Sequence, residues 1–298
     1  MKVAQFESTD GFCVGVWHKG AWVNYTKAEA FFALRVSHVA VERSPTVGFL
    51  IDAGGFDPQR MKEVLAFVDQ TQLGSLLRIS KKAMFRAPLM KPAKIVAVGL
   101  NYVLHAKEGS FDVPKEPIIF VKVGSSVIGP GESIRIPRGM GRMDHEVELA
   151  AVIGRKAVEV KEKDAYKFVA GYTIINDVSA RDIQTKDLEK RYPWFRSKSF
   201  DTFTPMGPWL VTPEEIKVPV HLGLECRVNG RIRQKANTRD LVFDLPHLIE
   251  FITRYITLDA GDVISTGTPA GIGPIRDGDE VVCKIEKIGE LKNPVRYR

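Results

Sequence analysis

Residues 143–155 read MDHEVELAAVIGR. In steps of two, Val147, Leu149, Ala151 and Ile153 fall on one face of a strand and Glu146 and Glu148 on the other. His145 then points away from the two glutamates. The strand runs into an apolar stretch, so it is expected to be half buried with both carboxylates on it. Burying a like-charged pair without a partner is costly or forces one group to protonate, and a divalent cation resolves the conflict. A third carboxylate, Asp177, ends the apolar run VAGYTIIN (169–176), where a strand meets a loop. Three carboxylates without a required Cys or His favour a hard cation such as Mg²⁺ or Mn²⁺. Spacing alone leaves the commoner alternative open: a solvated strand face beside a turn aspartate.

Outward from this stretch, short β-rich runs dominate residues 94–298: 94–98, 117–123, 207–211, 220–228, 262–267 and 279–286, most of them separated by Gly or Pro. Asn229-Gly230 lies between HLGLECRV and RIRQKA and predicts a tight hairpin. The clearest helical pattern is 245–257, with Asp244 as N-cap and Pro246 in the first turn. Residues 1–90 read as a small α+β unit, with strands in MKVAQFES and FCVGVWHKG and helices over 26–36 and 58–70. Residues 79–93 carry two prolines and a cluster of cations and read as the connection between the units. The expected architecture is α+β, mostly β: a mixed β-sandwich roll over 91–298 preceded by the small unit 1–90.

Of the 298 residues, 44% are hydrophobic and 27% charged, which excludes a disordered chain. The net charge of +7 is spread along the chain with no dense basic run, so small anionic substrates are expected rather than nucleic acid. Cys13, Cys226 and Cys283 lie far apart and read as reduced thiols, which fits a cytoplasmic location. No signal peptide and no membrane span is expected from the sequence.

Five motifs occur in order: GLNYVLHAKEG (99–109), MDHEVELAAVIGR (143–155), GYTIINDVSARDIQ (171–184), RSKSFDTFTPMGPWLV (196–211) and STGTPAGIG (265–273). Together they resemble the fumarylacetoacetate hydrolase family over about two thirds of the chain. The resemblance implies a mixed β-sandwich roll, a Mg²⁺ or Mn²⁺ cofactor held by Glu146, Glu148 and Asp177, and a 2-oxo acid substrate. It places a His–Glu dyad on His105 and Glu108, a catalytic lysine on Lys198 and substrate-carboxylate contacts on Arg181, Gln184 and Thr268. It implies a homodimer, while the spread of charge and the absence of a long apolar run predict no nucleic-acid or membrane partner. The expected reaction is hydrolysis of a C–C bond in an acylpyruvate- or fumarylpyruvate-like 2,4-dioxo acid. The alternatives are oxaloacetate decarboxylation and isomerisation/decarboxylation of an aromatic ring-cleavage product. All three pass through an enolate whose charge the cation would stabilise.

The residues add local expectations to these roles. His105 and Glu108, three apart, share one face of a short helix with Asn101 as its N-cap. Glu108 would orient His105 as a base toward water, and the segment would order over bound substrate. Lys198 sits among Trp194, Phe195, Phe200, Phe203 and Trp209, where partial desolvation is expected. Arg181 and Gln184 share a helix face, with the Arg181 fork suited to a carboxylate. Thr268 lies on a Gly/Pro loop whose backbone N–H groups can approach an anion.

Overall fold

In a computed structural model of the chain, which describes residues 1–38, 45–71 and 73–298, Val147–Ile153 is buried at every position. It is an interior strand, antiparallel to Val169–Asn176 on one side and to Val263–Ser265 on the other. Ile95–Gly99 runs parallel to Val263–Ser265, and Ile118–Lys122 closes that edge. Beyond Val169–Asn176 the order continues through Thr204–Val211, Lys2–Ser8, Gly11–His18 and Ala21–Asn24. The first residues therefore join the same sheet, through the pairing of Lys2 with Val211. A second sheet is built in the order Arg231–Asn237, Gly223–Val228, Glu280–Ile285, Gly289–Tyr297, Ile134–Ile136.

Alternation on the interior strand assigns its two faces. Val147, Leu149, Ala151 and Ile153 pack with Leu224, Val281 and Leu291 of the second sheet. Ala150 and Val152 pack on the opposite face in the cluster that holds Tyr25, Leu50, Met61 and Val64. These last residues come from the helices Tyr25–Phe32, Val47–Asp52 and Pro58–Gln70. Because both faces are covered, the strand is apolar almost throughout, as continuous burial requires. The expectation of a mostly β, mixed sandwich holds.

Local signals hold at several points. Asn229 and Gly230 both take positive φ (50° and 76°), the geometry of a tight two-residue hairpin. Asp244 accepts from the His247 N–H at 3.1 Å and caps the helix Leu245–Tyr255. The helix expected over 26–36 instead ends as an α-helix at Phe32 and continues as a wide π turn, Ala33–Ser37. The stretch 79–93, read as a connection, contains the strand Met84–Arg86, which pairs with Lys2–Ser8. Three residues are too few to register as a period.

Candidate active site and metal centre

The strand Val147–Ile153 supplies Glu148, and Glu146 lies in the break that separates it from Met143–His145. Asp177 N–H donates to the Glu146 carbonyl at 2.8 Å, which brings Asp177 opposite Glu146 just past the end of Val169–Asn176. All three carboxyl groups are buried, and each offers an oxygen within 4.8 Å of the others. His145 is turned away, with Nδ1 3.0 Å from Gln234 Oε1.

Two lysines and an arginine surround the carboxylates. Lys198 Nζ donates to Glu146 Oε2 and Asp177 Oδ2, both at 2.7 Å. Lys122, fully buried, pairs with Asp177 Oδ1 at 2.6 Å and donates to the Lys198 carbonyl. Arg181 opens the helix Arg181–Glu189 and spreads its fork over Asp144 (Nε to Oδ2, 2.8 Å), Glu146 and Gln184. The Arg181 fork is thus occupied by carboxylates and an amide of the protein itself.

The charges are unevenly distributed over the carboxylates. Burial works against ionised Glu146, but the Lys198 and Arg181 charges outweigh it and hold its carboxyl well below the usual range. Burial also opposes charged Lys198, and Asp177 and Glu146 still raise its pKa. For Lys122 burial wins over Asp177 and pulls the ammonium down. Glu148 is different. It accepts only from Ser265 Oγ (2.6 Å) and Gly267 N–H (2.9 Å), and among the described residues no cationic side chain pairs with it. Burial, then the charges of Asp177 and Glu146, push it up to about 8. Three clustered carboxylates, one of them without a counter-charge, form a hard oxygen donor set that fits a divalent cation.

The loop 265–273 reaches the site with two backbone N–H groups. Gly267 N–H meets Glu148, and Gly271 N–H meets Glu108 Oε1 at 3.0 Å. Both glycines need their φ of +95° and +97°. A Cβ at Gly267 would stand 2.9 Å from the Val98 carbonyl, and one at Gly271 2.1 Å from the Arg233 carbonyl. The anions that the loop approaches are the protein's own glutamates. Thr268 Oγ donates to the Val147 carbonyl and accepts from Gln234 Nε2 while lining the cavity.

His105 and Glu108 lie on the short helix Val103–Glu108, with His105 Nδ1 3.2 Å from Glu108 Oε2. The helix begins after Tyr102 without a side-chain cap. Asn101, expected as its cap, instead bonds Phe243 and the Thr266 carbonyl and ties the strand end to the loop. Between them, Leu100 takes φ of +55°, a strained value for a branched side chain, at the point where the strand turns into the site.

A cavity of about 360 Å³ brings the expected residues together. His105, Glu146, Glu148, Asp177, Arg181, Gln184, Lys198 and Thr268 all line it, and Glu108 contacts it only through His105. Sequence reasoning missed Lys122 and Asp144. The signal for Lys122 was present: one lysine in the otherwise apolar strand 117–123, two residues after cavity-lining Phe120 and therefore on its face. Asp144 carries no comparable signal, because its role depends on Arg181 folding back onto it.

The family described as fumarylacetoacetate (FAA) hydrolase, C-terminal, matches residues 94–296. An oxaloacetate tautomerase of Xenopus laevis mitochondria is 43% identical over 271 residues, covering 83% of each chain. The solved 5-carboxymethyl-2-hydroxymuconate delta-isomerase of Mycobacterium smegmatis is 34% identical, with a TM-score of 0.74 over 100% of this chain and 99% of that one. A maleylpyruvate hydrolase from Sphingobium sp. SYK-6, solved with manganese(II) and pyruvate, is 30% identical, with a TM-score of 0.76 over 100% of this chain and 99% of that one. Among the described residues no helix is long and apolar enough to cross a membrane.

Proposed function

The chain belongs to the fumarylacetoacetate hydrolase family, and from that premise we propose that it is a Mg²⁺- or Mn²⁺-dependent hydrolase of the C3–C4 bond of a 2,4-dioxo acid. The observation that carries the reading is His105, paired with Glu108, lining the same cavity as the three buried carboxylates. Glu146, Glu148 and Asp177 would hold the cation, which when bound supplies Lewis acidity toward the 2-oxo acid end of the substrate and its growing enolate charge. The manganese and pyruvate in the similar maleylpyruvate hydrolase support this assignment.

His105 takes the proton from a water molecule, oriented in this by Glu108, whose second oxygen is fixed by Gly271 N–H. The hydroxide so formed adds to the C4 carbonyl carbon. Collapse of that adduct breaks the C3–C4 bond, leaving a carboxylic acid on one side and the enolate of pyruvate on the other. The proton held by His105 returns to C3, and the products are a carboxylate and pyruvate. Lys198, buried between Glu146 and Asp177, pairs with both carboxylates, holds that of Glu146 ionised and presents an ammonium group at the cavity wall, where it steadies anionic substrate. Arg181, itself held by Gln184, bonds the other Glu146 carboxylate oxygen.

A second reading, keto–enol tautomerisation of oxaloacetate, is favoured by the similarity to the Xenopus tautomerase across most of both chains. It uses the same enolate and needs no attacking water. Incubating the protein and Mn²⁺ with acetylpyruvate, fumarylpyruvate and oxaloacetate separates the two. Release of pyruvate from a diketo acid is the expected result. A change in oxaloacetate alone, above its metal-catalysed background, would replace the first reading with the second.

A further inference from the structure

The cavity has two chemically different parts. One holds the carboxylates, Lys198 and Arg181; the other is the Trp194–Phe120 aromatic pair, and Leu100, Phe111, Leu188 and Ile272 also line the cavity. The aromatic part is built closely onto backbone. A Cβ at Gly99 would stand 2.3 Å from Trp194 Cζ3, so the indole lies directly on the end of the strand Ile95–Gly99. Phe120 meets Trp194 edge-on, with ring centroids 5.7 Å apart and planes at 71°. The Phe120 ring is also 5.4 Å from Lys198 Nζ, so the aromatic shelf begins where the polar part stops. Phe111 lies against Gly109 in the same manner, where a Cβ would be 2.6 Å from the ring. Phe111 is exposed while also lining the cavity.

Charge complements shape. The cationic side chains lining the cavity are Arg181 and Lys198, and both are held by carboxylates of the protein, while His105 is paired with Glu108. Glu189, next in the chain to cavity-lining Leu188, adds a further carboxylate to the lining. A second carboxylate on the substrate would therefore meet apolar rings and a like charge, which disfavours its burial. A flat, uncharged group would meet an edge-to-face aromatic pair suited to stacking.

We infer that the Trp194–Phe120 shelf is a specificity subsite, and that the group beyond C4 of the preferred substrate is uncharged and flat, as in an aroylpyruvate, rather than a carboxylate-bearing chain. The inference rests on the 2-oxo acid reading of the site, but not on which bond is broken. The cavity sets the distal group by contact, whatever happens at C3.

The test has a binding arm and a turnover arm, both on the Mn²⁺-loaded protein. In calorimetric titration, phenylpyruvate is expected to bind roughly 10–100-fold more tightly than pyruvate, on the scale of a buried aromatic contact. Trp194→Ala should bring that ratio down to within about threefold, and Trp194→Phe, which keeps a ring, should restore most of it. In turnover, benzoylpyruvate should exceed fumarylpyruvate in kcat/KM. If pyruvate binds but the phenyl group adds nothing, or if the ratio survives Trp194→Ala, the subsite is wrong while the 2-oxo acid site stands. Preference for fumarylpyruvate over benzoylpyruvate also overturns the subsite. If neither pyruvate nor phenylpyruvate binds and no diketo acid turns over, the reading of the whole site falls.

Discussion

Replacing Lys198 by methionine separates the electrostatic part of the account from catalysis. The side chain is 4% exposed, and its ammonium holds Glu146 and Asp177 at 2.7 Å each. Methionine keeps much of the volume and removes the charge. Deleting one partner of a buried ion pair costs about 3–5 kcal/mol. Here each carboxylate retains one cation, Arg181 on Glu146 and Lys122 on Asp177, which places the expected loss at the lower end, about 3 kcal/mol. Over 298 residues the unfolding entropy is about 0.6 kcal/mol/K, so the melting temperature should fall by roughly 5 °C. Scanning calorimetry on EDTA-treated protein reads this directly. Mn²⁺ should then stabilise the variant more than the parent, because it restores positive charge to the same carboxylates. A Lys198→Met protein that melts within about 1 °C of the parent, with the same response to Mn²⁺, would refute the reasoning.

Three further outcomes follow from Glu148 and His105. Glu148 has its pKa raised to about 8 in the cation-free protein against an ordinary value of 4.5, so it carries a proton in the folded chain where the unfolded chain has lost it. The stability tied to that proton is full below pH 4.5 and is lost as pH rises through 8. The urea midpoint of EDTA-treated protein should accordingly fall between pH 6 and 9. Mn²⁺ binding should release about one proton per chain at pH 6–7 and almost none at pH 9, measurable in buffers of different ionisation enthalpy. His105→Ala should lower kcat for diketo acid cleavage by about 10²–10⁴-fold with Mn²⁺ affinity little changed; hydrolysis at the parent rate would remove the dyad from the mechanism.

Much of this arrangement was legible from residue spacing and motif order. Alternation in EVELAAVI placed Val147, Leu149, Ala151 and Ile153 on the sandwich core and both glutamates on the other face, and Asn229-Gly230 marked its hairpin. What alternation could not reach was the partner of each charge. Arg181 is an i, i+3 neighbour of Gln184 in sequence, but its fork closes on Asp144 and Glu146, which lie on a different strand segment. Asn101 reads as a helix cap because capping is local, yet its side chain satisfies groups some 140–165 positions away. Leu100 shows no sign in sequence of its positive φ, a conformation that leucine rarely adopts. The aromatic part of the cavity was equally hidden: Trp194 and Phe120 are far apart in the chain, and only Gly99 lets the indole settle on the strand end.

The claim on which the rest depends is that Glu146, Glu148 and Asp177 together hold one divalent cation. Calorimetric titration of EDTA-stripped protein with Mn²⁺ tests it most directly, with Glu148→Ala and Asp177→Ala run beside the parent. The account predicts one cation per chain for the parent, and an affinity lowered by at least about tenfold in each variant. Parent protein that takes up no Mn²⁺, or variants that bind it as the parent does, would contradict the account.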